Sequence, residues 1–493
     1  MRILYVDVDS LRPDHLGCYG YHRKTSPRLD RLAQESALFT NVYASDTPCL
    51  PSRTALWSGR FGFRTGVVTH DGTPANPFLD GPRRATRDSF FNSSWMTALR
   101  KIGLYTATIS PFAERHAAWH WLAGFNEMIN PGQMGMERAD DIWPLVDDWL
   151  ERRGQDEDWF LHINLWDPHT PYRTPEEYGN PFVDSALDGW FTEALRKEQW
   201  MSHGPHGAQE PNGWGDEDDH ERYPTRIPNQ IDSMEAAKLW IDSYDTGVHY
   251  ADRMIEQVLD KLDQMGIYDD TVIMVSADHG ENLGELNVWG DHQTADQMTC
   301  RVPLIVRWPG VTDEGWADHG LHYQFDWAAT LIEMLGGAVP ENWDGHSFAE
   351  AFRASEADPG RDFLVLGHGL WAVQRAVRFE DYICIRTYHA GYKPYPPVML
   401  FDLKHDRHEQ HNLAGERGDL VNWAMRQLTD WQSEMMQRSL SDVDPLMTVM
   451  REGGPPLCRD RSSYLDRLRA TGRAHHAEML LRQHPDELRA SSA

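Results

Sequence analysis

Cysteine is scarce. The 493 residues contain five, Cys18, Cys49, Cys300, Cys384 and Cys458, scattered and odd in number. That excludes a disulfide framework and a paired CxxC metal site. Positive charge is also short: 47 Lys and Arg stand against 76 Asp and Glu, a formal net charge of −29. Binding to a phosphate backbone needs clustered cations, so no nucleic-acid partner is expected. Long apolar runs are missing too; none approaches the ~18 residues that suggest a membrane span. The opening MRILYVDVDS is interrupted by Asp7 and Asp9, unlike the basic start and longer apolar run of a secretory leader. The expectation is a cytoplasmic protein with no membrane partner.

What is present is an ordinary globular composition, 40% hydrophobic and 25% charged, with length for two to four domains. β-rich runs at 3–9, 105–110, 159–166, 271–276 and 303–306 alternate with helical stretches, as at 142–151 and 236–265. Residues 26–35 open like a helix, with Ser26 as cap and Pro27 at the first position. This alternation predicts an α/β fold with a mainly parallel sheet between helices. Sites in such sheets form at the carboxyl ends of strands, where Asp9 and Asp278 stand. Four short strands at 363–366, 372–379, 382–387 and 398–403, then a helix at 420–438, predict a smaller α+β unit on an antiparallel sheet. The expected organisation is a catalytic α/β domain at 1–355, a small C-terminal α+β domain at 356–440, and an extension at 441–493. The acidic stretch 210–221 reads as a surface loop.

The most specific segment is Thr47-Pro48-Cys49-Leu50-Pro51-Ser52-Arg53, followed by Gly59-Arg60. A reactive atom opening a helix with Arg53 one turn on makes an anion site. An isolated cysteine is usually buried and inert; the flanking residues shift that reading. The Cys-to-Arg spacing is too short for the C-x5-R loop of cysteine phosphatases. The segment resembles the signature of type I sulfatases, formylglycine-dependent members of the alkaline phosphatase superfamily. Further matches are Asp9 in Val8-Asp9-Ser10-Leu11-Arg12, the run Val275-Ser276-Ala277-Asp278-His279-Gly280-Glu281, and His169 in Pro168-His169-Thr170-Pro171. Phe401-Asp402-Leu403, with Glu409 and Asn412-Leu413, resembles the family's C-terminal segment. The likeness spans about residues 1–435. There are departures: Ser10 stands where many members have a second acid, and two family lysines are missing.

The resemblance implies an alkaline-phosphatase-like fold and a sulfuric ester hydrolase. It implies that Cys49 becomes formylglycine through a formylglycine-generating enzyme, and that Asp9, Asp278 and His279 hold one divalent metal beside it. Oxygen-rich ligation favours Ca²⁺ or Mg²⁺ and the imidazole ligand leaves Mn²⁺ open; family habit points to Ca²⁺. Arg53 and the metal neutralise the sulfate, one hydroxyl of the hydrated aldehyde attacks sulfur, and a general acid assists the leaving alcohol. His169 and His292 compete for that acid role. His292 is favoured because it stands near the position of a missing lysine, which leaves His169 to hold sulfate. Arg115 and His116 replace the other lysine segment and are the candidates for touching the organic group. Asp7 is assigned a structural role. Trp119, His120 and Trp121 read as core and rim. His70, Arg64, His203 and His206 are weaker candidates, and loop histidines are usually solvated. The expected substrate is a small-molecule or carbohydrate sulfate ester. Two alternatives stand: a phosphonate monoesterase or phosphodiesterase of the same superfamily, or a non-catalytic anion- or sugar-binding protein with unmodified Cys49.

Overall fold

The computed structural model describes residues 1–81, 83–85, 87–215, 225–459 and 461–485. Its main sheet is built outward from the strand Arg2–Val8, which pairs in parallel with Trp159–Leu165 on one side and Thr271–Ser276 on the other. Tyr105–Ile109 and Glu127–Ile129 continue the parallel run beyond Trp159–Leu165. On the other side Arg301–Arg307 is antiparallel and leads to Ala37–Tyr43 at the far edge region. Six of the seven residues in Arg2–Val8, and all of Trp159–Leu165 and Thr271–Ser276, are buried. Near-continuous apolar strands are what a sheet covered on both faces requires. Residues two apart share a face. Tyr5 meets Trp57, and Asp7 meets Arg53, both on the helix Cys49–Ser58.

A second sheet runs Val398–Asp402, Tyr382–His389, Val373–Phe379, Phe363–His368, all antiparallel. The helix Gly418–Arg438 covers one face, with Ala424 and Leu428 against Val365, Val377 and Leu400. One strand was not anticipated. Asp46–Thr47 joins this sheet in parallel beside Phe363–His368, and two residues are too short to show any periodicity. Among the described residues no helix is long and apolar enough to cross a membrane.

The expected surface loop at 210–221 needs correction. Glu210 and Trp214 are buried; residues 216–221 lie outside the described residues. Trp214 packs with Trp371, Tyr464 and Leu468, and Glu210 is buried because Arg467 and Arg473 offset its charge. Both arginines come from the end of the chain, whose helices Ser462–Ala470 and Ala474–Gln483 cap this cluster.

Candidate active site

Cys49 is the first residue of the helix Cys49–Ser58 and only 2% exposed. Asp9 follows the strand Arg2–Val8; Asp278 and His279 follow Thr271–Ser276. These two strands are neighbours in parallel register, so their carboxyl ends deliver the three side chains to one place. Single ligand atoms of Asp9, Cys49, Asp278 and His279 all lie within 4.8 Å of one another, and so do those of Cys49, His279 and His292. The Cys49 Sγ is 3.0 Å from His279 Nε2. His279 Nδ1–H donates to the Gly280 carbonyl at 2.8 Å, which leaves the Nε2 lone pair facing the cluster.

Arg53 lies beneath. Its Nε donates to Asp7 at 2.8 Å, and its Nη1 to Asp9 at 3.0 Å and Asp278 at 2.6 Å. Three buried carboxylates thus share one guanidinium. Burial pushes the Asp278 carboxyl well above the usual range; Arg53 pulls it down, and Asp9 and Asp7 push it up again. The set of two carboxylates and an outward imidazole nitrogen, negatively charged in excess, fits a divalent cation. The Arg53 Nη2, buried and without a partner among the described residues, is a free donor for an anion. Burial first, then Asp9 and Asp278, hold the Cys49 thiol well above its ordinary value, so unmodified Cys49 is a thiol and not a thiolate.

His169 and His292 both reach this site. His169 Nδ1–H donates to the Thr170 carbonyl at 2.5 Å, and Nε2 stands 4.0 Å from Asp9 Oδ1. His292 packs on His279 with ring centroids 4.1 Å apart and on His169 at 5.8 Å. Burial is the main cause that lowers each to about 3, so both rings are neutral in the free protein. Arg115 is exposed; it stacks on Trp166 at 4.8 Å and donates to the Met134 carbonyl at 2.9 Å. His116 is half-buried beside His70, with ring centroids 4.6 Å apart. Asp7 stays under Arg53 with His162 on its other side.

Several residues differ from expectation. His70 accepts the Leu50 N–H at 3.2 Å, directly at the start of the Cys49 helix; no motif flags it. Arg64 instead pairs with Asp344 at 2.5 Å. His203 and His206 are not solvated loop residues. His203 is 1% exposed and stacks on His476, and His206 lies 3.0 Å from Asp291. The reason is the terminal extension, which covers their segment. Glu281, inside the recognised run, accepts the Tyr172 hydroxyl; nothing in the sequence ties that pair together. Trp121 is core and Trp119, 64% exposed, is rim.

A family model for sulfatases matches residues 2–338, and one for the C-terminal region of N-sulphoglucosamine sulphohydrolase matches residues 284–434. An ulvan-active sulfatase of Formosa agariphila is 23% identical over 427 residues, covering 84% of this chain and 77% of the relative. An N-acetylglucosamine-6-O-sulfatase of Bacteroides thetaiotaomicron is 21% identical, covering 93% and 90%. Among solved structures, the phosphonate monoester hydrolase of Agrobacterium radiobacter aligns with a TM-score of 0.67 at 18% identity, over 88% of this chain and 96% of that one. Family match, fold and relatives agree: the chain belongs to the sulfatase family of the alkaline phosphatase superfamily, and so to the sulfuric ester hydrolases.

Proposed function

We propose that this protein hydrolyses a sulfate monoester of a carbohydrate, using a formylglycine made from Cys49 and one divalent cation. The observation that carries the reading is the convergence of Cys49 with Asp9, Asp278 and His279. The carbohydrate assignment is supported by the names of the relatives, an ulvan-active and an N-acetylglucosamine-6-O-sulfatase.

Asp9, Asp278 and His279 are the residues for the cation, Ca²⁺ by oxygen preference and Mn²⁺ or Mg²⁺ as competitors. When in place, the cation supplies Lewis acidity toward a sulfate oxygen and the formylglycine supplies the attacking hydroxyl. The chain's own part is to orient and neutralise. Arg53 offers Nη2 to a sulfate oxygen and holds Asp9 and Asp278 through Nη1. His169, its Nδ1 proton committed to Thr170, faces the sulfate position with Nε2 beside Asp9 and donates there once a bound anion favours a proton on that nitrogen. His292 is the proton donor to the leaving alcohol oxygen; a sulfate anion beside the ring favours its protonated form over the neutral one.

The test is the mass of the Cys49 peptide from the purified protein, joined to turnover of paired sulfate and phosphonate monoesters. An aldehyde at position 49 with preference for sulfate supports the reading. Preference for phosphonate turns it toward the activity named for the structural neighbour. An unmodified thiol with sulfate binding but no turnover leaves an anion-binding protein.

Two further outcomes are expected. Asp278→Ala should lose the cation, read as metal content after desalting. Retention of a full equivalent would remove Asp278 from the ligand set. Arg115→Ala should raise KM for a bulky saccharide sulfate roughly ten-fold, the scale of one charged contact, while leaving a small aryl sulfate nearly unchanged. Equal loss on both would give Arg115 a general role.

A further inference from the structure

His206 sits between two acceptors. Its Nδ1 faces the Pro211 carbonyl at 3.0 Å and its Nε2 the Asp291 carboxylate at 3.0 Å. A carbonyl oxygen only accepts. Asp291 also accepts, taking the His292 backbone N–H at 2.7 Å and the Gln293 side-chain N–H at 3.0 Å. With its Nδ1–H given to Pro211, the ring leaves Nε2 at ion-pair distance from Asp291. Its backbone is fixed as well: N–H to the Gly213 carbonyl, and carbonyl from the Trp289 N–H at 2.8 Å. It adopts φ 55°, a left-handed conformation that costs a non-glycine residue about 1 kcal/mol. Asp291 is 6% exposed and immediately precedes His292.

The segment that presents His206 is gripped from behind by the chain terminus. Arg467 donates to Glu210 at 2.8 Å and to the Gln209 carbonyl at 3.1 Å. Arg473 bridges Glu210 and the Ser202 carbonyl, each at 3.0 Å. The Tyr464 hydroxyl accepts the Gly204 N–H at 2.7 Å. Breaking such a buried pair by removing one partner leaves an uncompensated charge, so the grip is specific.

We infer that His206 is a positioning residue of the active site, held there by residues 464–473 so that its ring pairs with Asp291 beside His292. This rests on the sulfatase reading of the site. Without the His206 ring, Asp291 keeps the His292 and Gln293 N–H groups but loses a partner able to offset its charge, in the segment that leads into His292. Like charge at close range in a poorly solvated site opposes anion binding.

The experiment measures affinity for inorganic sulfate by calorimetry on the matured, metal-loaded protein, alongside KM and kcat for an aryl sulfate. His206→Gln should weaken sulfate binding roughly ten-fold and raise KM more than it lowers kcat. Adding Asp291→Asn to it should restore most of the affinity, since the unbalanced charge is then gone. A purely structural role predicts no such recovery. Arg473→Met should weaken sulfate binding in the same direction. Wild-type affinity in His206→Gln, or a double variant no better than the single, overturns the charge balance. Wild-type affinity in Arg473→Met, with only a lower melting temperature, overturns the role of the extension. Absence of turnover in the unmutated protein counts against the sulfatase reading alone, because the sulfate affinities are read without turnover.

Discussion

Cys49→Ala is expected to abolish hydrolysis of every sulfate ester, by on the order of 10⁵-fold or more, the scale seen when a nucleophile is removed. Every other group in the cluster is a carboxylate, an imidazole or a guanidinium. None of these side chains yields a hydrated aldehyde. The variant removes one sulfur atom from a buried position, so the fold should survive with a modest loss of stability, about 1 kcal/mol. Cation binding should survive as well, because Asp9, Asp278 and His279 stay in place. The readout is therefore threefold: no turnover, near-normal melting temperature, retained metal. Residual turnover above about one part in a thousand would assign the nucleophile to another residue.

The second large effect separates the two histidines. General acid catalysis is worth about 10²–10⁴-fold when the leaving group departs poorly on its own, and much less when it is already stable as an anion. His292→Ala should lose that factor on a saccharide or alkyl sulfate and little on nitrophenyl sulfate. His169→Ala, which removes a ring facing Asp9 and the sulfate position, should lose similarly on both. If His292→Ala loses equally on the two substrates, it is a binding residue and the acid role passes to His169. Their geometry makes the comparison clean, because the rings stand 5.8 Å apart in one site.

The parts of this molecule that were legible in the sequence are those with a local pattern. The strands that lead to Asp9 and Asp278 are short, mostly apolar runs followed by acids, and a parallel sheet brings such ends together. The four strands of the second sheet were readable for the same reason; Phe363–His368 and Val373–Phe379 are β-rich runs between turns. What failed was whatever depends on distant chain. Glu210 looked exposed because it opens an acidic stretch, yet the two arginines that bury it lie more than 250 residues away. The three carboxylate contacts of Arg53 were not legible either, although its Nη2 stays available to an anion. Which acids crowd one guanidinium is a question of strand order, and composition does not reveal that.

The two-residue strand Asp46–Thr47 has a mechanical consequence. It belongs to the second sheet, with Thr47 hydrogen-bonded to the Gly367 carbonyl at 3.2 Å and to His368 at 3.0 Å, and Cys49 follows after one proline. Cys49 is thus clamped by the second sheet on its N-terminal side and by the first sheet through Arg53. A hinge opening between the sheets would pull this stretch out of shape. The two halves are also genetically inseparable in this sense: a fragment ending before residue 363 would leave Asp46 and Thr47 without the strand they pair with, and Cys49 would lose its anchorage.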